Sequence, residues 1–325
     1  MSLEAIVSII IQGLTLGMLY FLIAAGLSLI FGLMDVLNFA HGAIFMVGAY
    51  VATTVYYDLG GGQFGAYLPP PLAPTLLKLG LKGGVALVAD SNVRFVIALL
   101  AGGLVGVGLG ALIECSMIRP LYKRPIFQIL LTLGLAYVLS ELVRNIWGFN
   151  PYNLEKPAAL AQSVEVVERM VPYYKFFLIA LGCVLFIVVY ALLQRTRLGI
   201  IIRAGVQNSE MVQALGINVR RVFTVVFALG AGLAAFGGAA AAPFVGVSPL
   251  MGMSFQLSAF IVVVIGGMGS IPGAAVGSLL VGLAQAFAAY RLSPLVANAI
   301  LVGLMGLVLL IKPAGLFGAK KEGGH

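Results

Sequence analysis

RTRLGIIIRAGVQNSEMVQALGINVRR, Arg195 to Arg221, is the stretch from which the rest of the chain can be ordered. Long apolar segments flank it. It carries Arg195, Arg197, Arg203, Arg220 and Arg221 on either side of a short segment, Gln207 to Leu215. That segment reads as an amphipathic helix: Val206, Asn208 and Ser209 open it, and Gly216 stands in the helix-stop position. A basic, partly helical segment between apolar spans belongs at a membrane face, and the positive-inside rule makes that face the cytoplasmic one. Two readings stay open on these residues alone. A capped helix too small for chemistry suits a docking handle; a basic loop can equally serve only to set orientation.

Composition agrees with a membrane setting. Of 325 residues, 61% are hydrophobic and only 9% charged, where a soluble domain carries roughly 25% charge. Mean hydropathy is +1.10. The apolar runs reach about 20 residues, the length of a spanning helix, and lack the alternation of barrel strands. The 42 glycines suit close helix packing. The net charge of +8 is not a nucleic-acid signal; its basic residues sit in short loops that match cytoplasmic lipid headgroups. Cys115 and Cys183 read as buried thiols without a disulfide framework. No cleavable signal is expected, because the first apolar run is too long and its flank holds Glu4 and no basic residue.

The expected fold class is an all-α polytopic membrane protein. It has about eight or nine transmembrane helices plus a short broken or re-entrant helix, with two halves in inverted repeat. The chain reads as one transmembrane domain, 1–325. Its N-terminal half is 5–194, with external loops 58–92 and 148–172. A cytoplasmic loop 195–221, a C-terminal half 222–311 and a cytoplasmic tail 312–325 follow. Spans are expected over Ala5–Phe31, a run ending near Tyr56, Val93–Met117, Ile126–Trp147, Tyr173–Leu193, Val222–Ala242, Ala274–Tyr290 and Pro294–Ile311. Phe255–Gly267 is short for a crossing and stops at the break Gly266–Gly273. Arg119, Lys123 and Arg124, the five arginines of the central loop, and Lys312, Lys320 and Lys321 make eleven of the nineteen basic residues. All fall in segments assigned to the cytoplasm, which puts the N-terminus outside and Asp35–His41 inside.

Few residues offer chemistry. Asn38, His41 and Gly42 form a polar break beside a span and suit either a pathway lining or a capped helix start. Gly266, Gly267 and Gly269 suit either a re-entrant half-helix or a tight turn. Gln12 is a polar side chain within the first span. Glu114 with Arg119, and Glu141 with Arg144, read as structural pairs at span ends. No catalytic residue and no metal site is expected: a lone histidine beside a span has no partner ligands, and His325 lies in the tail. No GxxxxGK[ST] motif occurs, so ATP, if used, binds to another chain.

Four stretches, in order along the chain, carry a resemblance. They are GLSLIFGLMDVLNFAHGAIFMVGAY (Gly26–Tyr50), ALGINVRRV (Ala214–Val222), VVVIGGMGSIPGAAVGSLLVGL (Val262–Leu283) and KPAGLFG (Lys312–Gly318). Together they resemble the Liv-type permease subunit of branched-chain amino-acid ABC importers. The resemblance implies a transport subunit of the bacterial cytoplasmic membrane, without its own catalytic site or cofactor. It implies a second related permease as heterodimer partner, two ATP-binding subunits that hold ATP and Mg, an external substrate-binding protein, and alternating access. It also makes Gln207–Leu215 a coupling helix, with Arg203, Asn208, Glu210, Leu215, Gly216 and Arg220 facing the ATPase; Gln12, Asn38, His41, Gly42, Gly266, Gly267 and Gly269 are the candidates for the path. Two departures stand out: Val212 replaces the usual Ala of the coupling helix, and the loop 58–92 is long. The family also holds importers of urea, short amides and aromatic acids. Outside the family, the alternative is a stand-alone secondary transporter or channel.

Overall fold

Thirty-two consecutive residues with no proline and only one charge, Glu4, form the first helix, α1 (Leu3–Met34). Its length is about 48 Å at 1.5 Å per residue. Apolar residues lie all round it rather than on one stripe, as expected of a helix enclosed by others, and Leu19 to Ile30 are buried without a gap. The helix ends on Asp35, whose φ of 54° is left-handed and whose N–H bonds the Phe31 carbonyl at 2.9 Å. The computed structural model describes residues 2–60, 88, 90–122, 124–207 and 209–318. Most of the expected external loop 58–92, Lys123 and the end of the tail lie outside the described residues.

After α1 come α2 (His41–Leu59), α3 (Ser91–Ile113), α4 (Pro125–Trp147), α5 (Tyr173–Arg195), α6 (Arg197–Gln207), α7 (Ser209–Ala214), α8 (Val219–Val245), α9 (Met251–Gly266), α10 (Ile271–Arg291) and α11 (Pro294–Ile311). Among the described residues six segments are long and apolar enough to cross a membrane: α1, Ser91–Leu121, α4, α5, α8 and α10. The helices α2, α9 and α11 are shorter or less apolar. This is an all-α polytopic architecture of the expected kind. One small sheet was not foreseen: β1 (Ser163–Val166) and β2 (Arg169–Pro172) pair antiparallel in the segment 148–172. Their two-residue turn, Val167 and Glu168, has φ of 50° and 61°, the paired positive φ that hairpins favour.

The two halves repeat one plan in opposite directions. In each, a long central helix is followed by a short non-helical return and a second helix. These are α1, 35–40 and α2 in the first half, and α8, 246–250 and α9 in the second. A Cβ on Gly26 would strike the Gly230 carbonyl, and one on Gly230 would lie 2.8 Å from the Gly26 oxygen. Gly237 meets Leu22 further along, so α1 and α8 run antiparallel. Gly42 and Gly252 stand in the same reciprocal contact, and Phe39 stacks on Phe260, so α2 and α9 are antiparallel too. Small residues allow these backbones to touch.

Several expectations need correction. The counterpart of the 35–40 break is 246–250, ahead of α9, and not Gly266–Gly273 behind it. The helix α8 runs through Pro243 to Val245 and stops at Gly246, φ 75°. Near a C-terminus, proline forfeits one hydrogen bond without splitting a long helix. Cys115 and Cys183 are exposed rather than buried, because they lie on the outward faces of α5 and of the turn after α3. Such outward faces carry Leu104, Leu130, Tyr137 and Ile187 and suit lipid or another helix.

Contacts sort the segment ends into two sets. Thr132 Oγ1 donates to the Leu37 carbonyl at 3.4 Å, Glu114 meets Thr224, Gly32 abuts Gly269, and Gly267 abuts Gly318. At the other end Tyr152 bridges to Val247, Trp147 Nε1 donates to Thr54 Oγ1 at 2.8 Å, and the Ala158 N–H donates to Ser91 Oγ at 3.0 Å. Arg119, Arg124, the 195–221 segment and Lys312 all belong to the first set, and the amino terminus of α1 to the second. Among the described residues eight basic residues lie at the first end, seven of them in the short segments 119–124 and 195–221, which makes it the basic end; the other six, Arg94, Arg144, Lys156, Arg169, Lys175 and Arg291, lie toward the second.

Candidate functional site

The break at 35–40 does not stay at the membrane face. It climbs beside α1, so that His41 Nε2 lies 3.1 Å from the Ile23 carbonyl, about three turns inside the end of α1. A carbonyl only accepts, so Nε2 carries the proton and Nδ1 is left as a lone-pair acceptor. Gly26 leaves the room: a Cβ there would lie 2.8 Å from the His41 ring nitrogen. Irregular backbone at such depth must be satisfied from within the protein. Asn38 Oδ1 accepts from the Ala40 N–H at 3.0 Å, and the Asn38 carbonyl accepts from the His41 N–H at 3.3 Å. Asn38 thus braces the turn through Ala40, and the helix cap position itself falls on Ala40, which offers no side chain.

The first turn of α2 is completed from the other half of the chain. Gln256 of α9 places Oε1 2.6 Å from the Gly42 N–H, and its Nε2 donates to the Asn38 carbonyl at 3.4 Å. Asn38 and His41 are buried, at 1% and 0% exposure, and both Asn38 Nδ2 and His41 Nδ1 lack a partner among the described residues. Asn38, His41 and Gly42 therefore share one polar site with Gln256, which reading the sequence missed. Gln12 is elsewhere, about 21 Å further along α1 than Gly26, accepting from Lys175 Nζ at 2.7 Å. Gly266, Gly267 and Gly269 form the α9–α10 turn at the basic end. There the Phe317 N–H donates to the Gly266 carbonyl at 2.9 Å, and Gly267 and Gly269 have φ of 105° and 81°.

At the basic end the segment 195–221 is two helices, where one was expected. Thr196 Oγ1 accepts from the Gly199 N–H at 3.1 Å and starts α6. Leu198, Ile201, Ile202 and Gly205 turn inward, and Gly205 rests against Leu33 of α1. Arg203 donates to the Leu193 carbonyl, closing the end of α5. The shorter helix α7 ends where expected: Gly216 has φ 80°, its N–H donates to the Gln213 carbonyl at 2.9 Å, and the Ile217 N–H donates to the Val212 carbonyl at 3.3 Å. Val212 is buried, while Met211, Leu215, Gly216 and Arg220 are exposed. Asn208 lies outside the described residues, as does the side chain of Glu210.

A third polar group ties this end together. Beyond α3 the helix widens into a π-turn, Glu114–Ile118, a form frequent at functional places. It holds the Glu114 side chain, 0% exposed, against Arg119 Nη2 at 3.1 Å and Thr224 Oγ1 of α8 at 2.6 Å. Tyr122 donates to the same carboxylate. Burial, and then that bond, raise the Tyr122 hydroxyl above the ordinary phenol range. Glu141 and Arg144 pair at 2.6 Å near the opposite end.

The family model described as "Branched-chain amino acid transport system / permease component" matches residues 9–311. The chain belongs to this permease family. The permease is 30% identical over 320 residues to the high-affinity branched-chain amino acid transport system permease protein BraD of Pseudomonas aeruginosa, covering 95% of this chain and 94% of that one. It is 29% identical over 319 residues to the permease protein LivH of Escherichia coli K12, covering 94% of each. A probable LivH of Methanocaldococcus jannaschii is 27% identical over 319 residues, covering 91% of this chain and 88% of its own. No solved structure matches. The permease is thus a multi-pass membrane protein whose relatives are transport subunits.

Proposed function

We propose that this permease is the membrane-spanning subunit of an ATP-driven importer in a bacterial cytoplasmic membrane. It carries branched-chain or other hydrophobic amino acids inward by alternating access. The names of its relatives support the cargo class. The observation that carries the mechanism is the short helix α7, with Met211 on it and Leu215 just past its end exposed at the basic end. An apolar patch beside Arg220 at a cytoplasmic face suits a groove on another protein. The motor is then separate: two ATP-binding subunits hold ATP and Mg, a second related permease completes the path, and an external binding protein delivers cargo. Leu215, Gly216 and Arg220 face the motor. Arg203 serves the fold instead, by closing α5. The break around Asn38, His41 and Gly42 lines the path.

The test is uptake of labelled leucine by proteoliposomes holding the complete assembly. Transport is expected to stop when the ATPase subunits cannot hydrolyse ATP. Gly216→Val is expected to abolish uptake while insertion persists, because a β-branched residue resists φ near 80°. Uptake at the full rate by the isolated chain without ATP overturns this reading in favour of a secondary transporter or channel.

A further inference from the structure

We infer that the first turn of α2 is a carboxylate site, whose place the Gln256 side-chain oxygen holds when no substrate is present. The inference rests on the reading of this chain as an amino-acid permease and names the atoms that would meet cargo. Its first ground is electrostatic. A helix start leaves N–H groups without carbonyl partners and carries partial positive charge. That of α2 lies inside the bundle, at the level of Ile23, with no side-chain cap of its own. Half-helix starts at depth are where transporters meet anionic cargo groups.

The second ground is the occupant. Gln256 Oε1 accepts from the Gly42 N–H at 2.6 Å, the distance a carboxylate oxygen would take. Its carboxamide is neutral, and charge-assisted bonds are roughly twice as strong as neutral ones. A carboxylate therefore displaces it, whereas a fixed acidic side chain would not yield. Gln256 is only partly buried, and Met253 and Leu257 beside it on α9 are exposed, so its own side chain can swing clear.

The third ground is independent of the helix end. Asn38 Nδ2 is a donor at 1% exposure with no partner. Its sister atom Oδ1 is 3.0 Å from the Ala40 N–H, so the unpaired donor sits on the same turn. A buried unpaired donor is destabilising unless something arrives to accept from it. His41 Nδ1, also buried and unpaired, is an acceptor on that turn. Donors with one acceptor are the complement of a zwitterionic amino acid, carboxylate to Gly42 and Asn38, ammonium to His41.

Two measurements separate the site from the reading beneath it. The first is the thermal unfolding midpoint of the purified chain with leucine and with leucinamide, which lacks the carboxylate. Leucine is expected to raise the midpoint of the wild type and of Gln256→Ala more than leucinamide does, and the difference is expected to vanish in Gln256→Glu. The second is leucine uptake by the full assembly. Gln256→Glu is expected to lose on the order of tenfold to a hundredfold, the range for a hydrogen bond to a charged group, and Gln256→Ala, which drops the bond to the Asn38 carbonyl but adds no charge, to lose less. If Gln256→Ala falls as far as Gln256→Glu, the residue is a structural latch and the site is refuted. The site is equally refuted if leucinamide stabilises as well as leucine. A leucine-specific shift without any ATP-dependent uptake would leave the site standing and overturn the transport reading instead.

Discussion

Gly238→Ala tests the packing that holds α2 at depth. A methyl at Gly238 would overlap the Phe45 carbonyl oxygen and lie 2.7 Å from its carbon and 3.3 Å from the Ala49 nitrogen. Ordinary contact begins near 3.4 Å, so clearing the Phe45 carbonyl carbon alone takes a retreat of about 0.7 Å, and clearing its oxygen takes more. The obstacle is backbone and no rotamer relieves it. Overpacking of this kind costs about 1–3 kcal/mol, occasionally more. Replacing a helical glycine by alanine returns only about 0.5–1 kcal/mol. The net expectation is a loss of about 1–2 kcal/mol, on the same scales. Gly134→Ala is the internal control: nothing lies within 4 Å of a Cβ there, so the same chemical change should stabilise. Gly48→Ala presses on the Ala235 backbone at 2.5 Å from the facing side. Because one retreat of α2 relieves both clashes, the double variant should cost less than the two single ones together. The assay is thermal unfolding of the purified protein in detergent. If Gly238→Ala and Gly134→Ala shift the midpoint in the same direction, the argument from close approach fails.

Three further outcomes are expected. Leu215→Asp puts a charge on the exposed face of α7 and should lower co-purification of the ATPase subunits while leaving the unfolding midpoint of the chain unchanged; a lowered midpoint would show that Leu215 supports the fold instead. Tyr174→Phe removes a hydroxyl donating to the Ala240 carbonyl at 2.8 Å and should cost about 1 kcal/mol in the same unfolding assay; no change would mean the bond is replaced by water. Thr224→Val removes the bond from α8 to Glu114 while keeping the side-chain volume, and uptake should fall more than the unfolding midpoint does. Loss of both in proportion would make the group a structural tie only.

The sequence carried the long helices well because their signal is local. Pro294–Ile311 was read with the bounds the structure shows, since Ser293 and Pro294 mark its start and Lys312 its end. Gly216 was legible for the same reason, as a stop whose positive φ excludes most residues. The helix α6 has a local signal of its own: Leu198, Ile201, Ile202 and Gly205 follow helical spacing between the arginines. The β1–β2 hairpin gives little local signal, since its strands are four residues each and only β1 alternates in burial. Gln256 had no local signal at all. Its contact with Gly42 spans 214 residues of chain and exists only because α2 and α9 cross.

Depth and distance together constrain how the two ends of this molecule communicate. The polar turn at Asn38–Gly42 lies within the bundle, while the exposed helix α7 lies at its basic end. The described bonds to the turn are with neutral groups, Gln256 and the Ile23 carbonyl. What joins the turn to α7 is a series of helix contacts. On one side α7 leads through Ile217 and Asn218 into α8, whose Gly230 touches Gly26 of α1. On the other it continues from α6, whose Gly205 rests on Leu33 at the end of α1. A displacement of α7 therefore acts on both central helices at once, and these two helices flank the His41 ring. Because α1 and α8 are antiparallel and touch backbone to backbone, sliding one against the other changes the Gly26–Gly230 contact before it changes any side chain. That contact borders the space in which His41 sits, and His41 Nε2 bonds the Ile23 carbonyl of α1, so relative motion of the central pair reaches the polar turn directly.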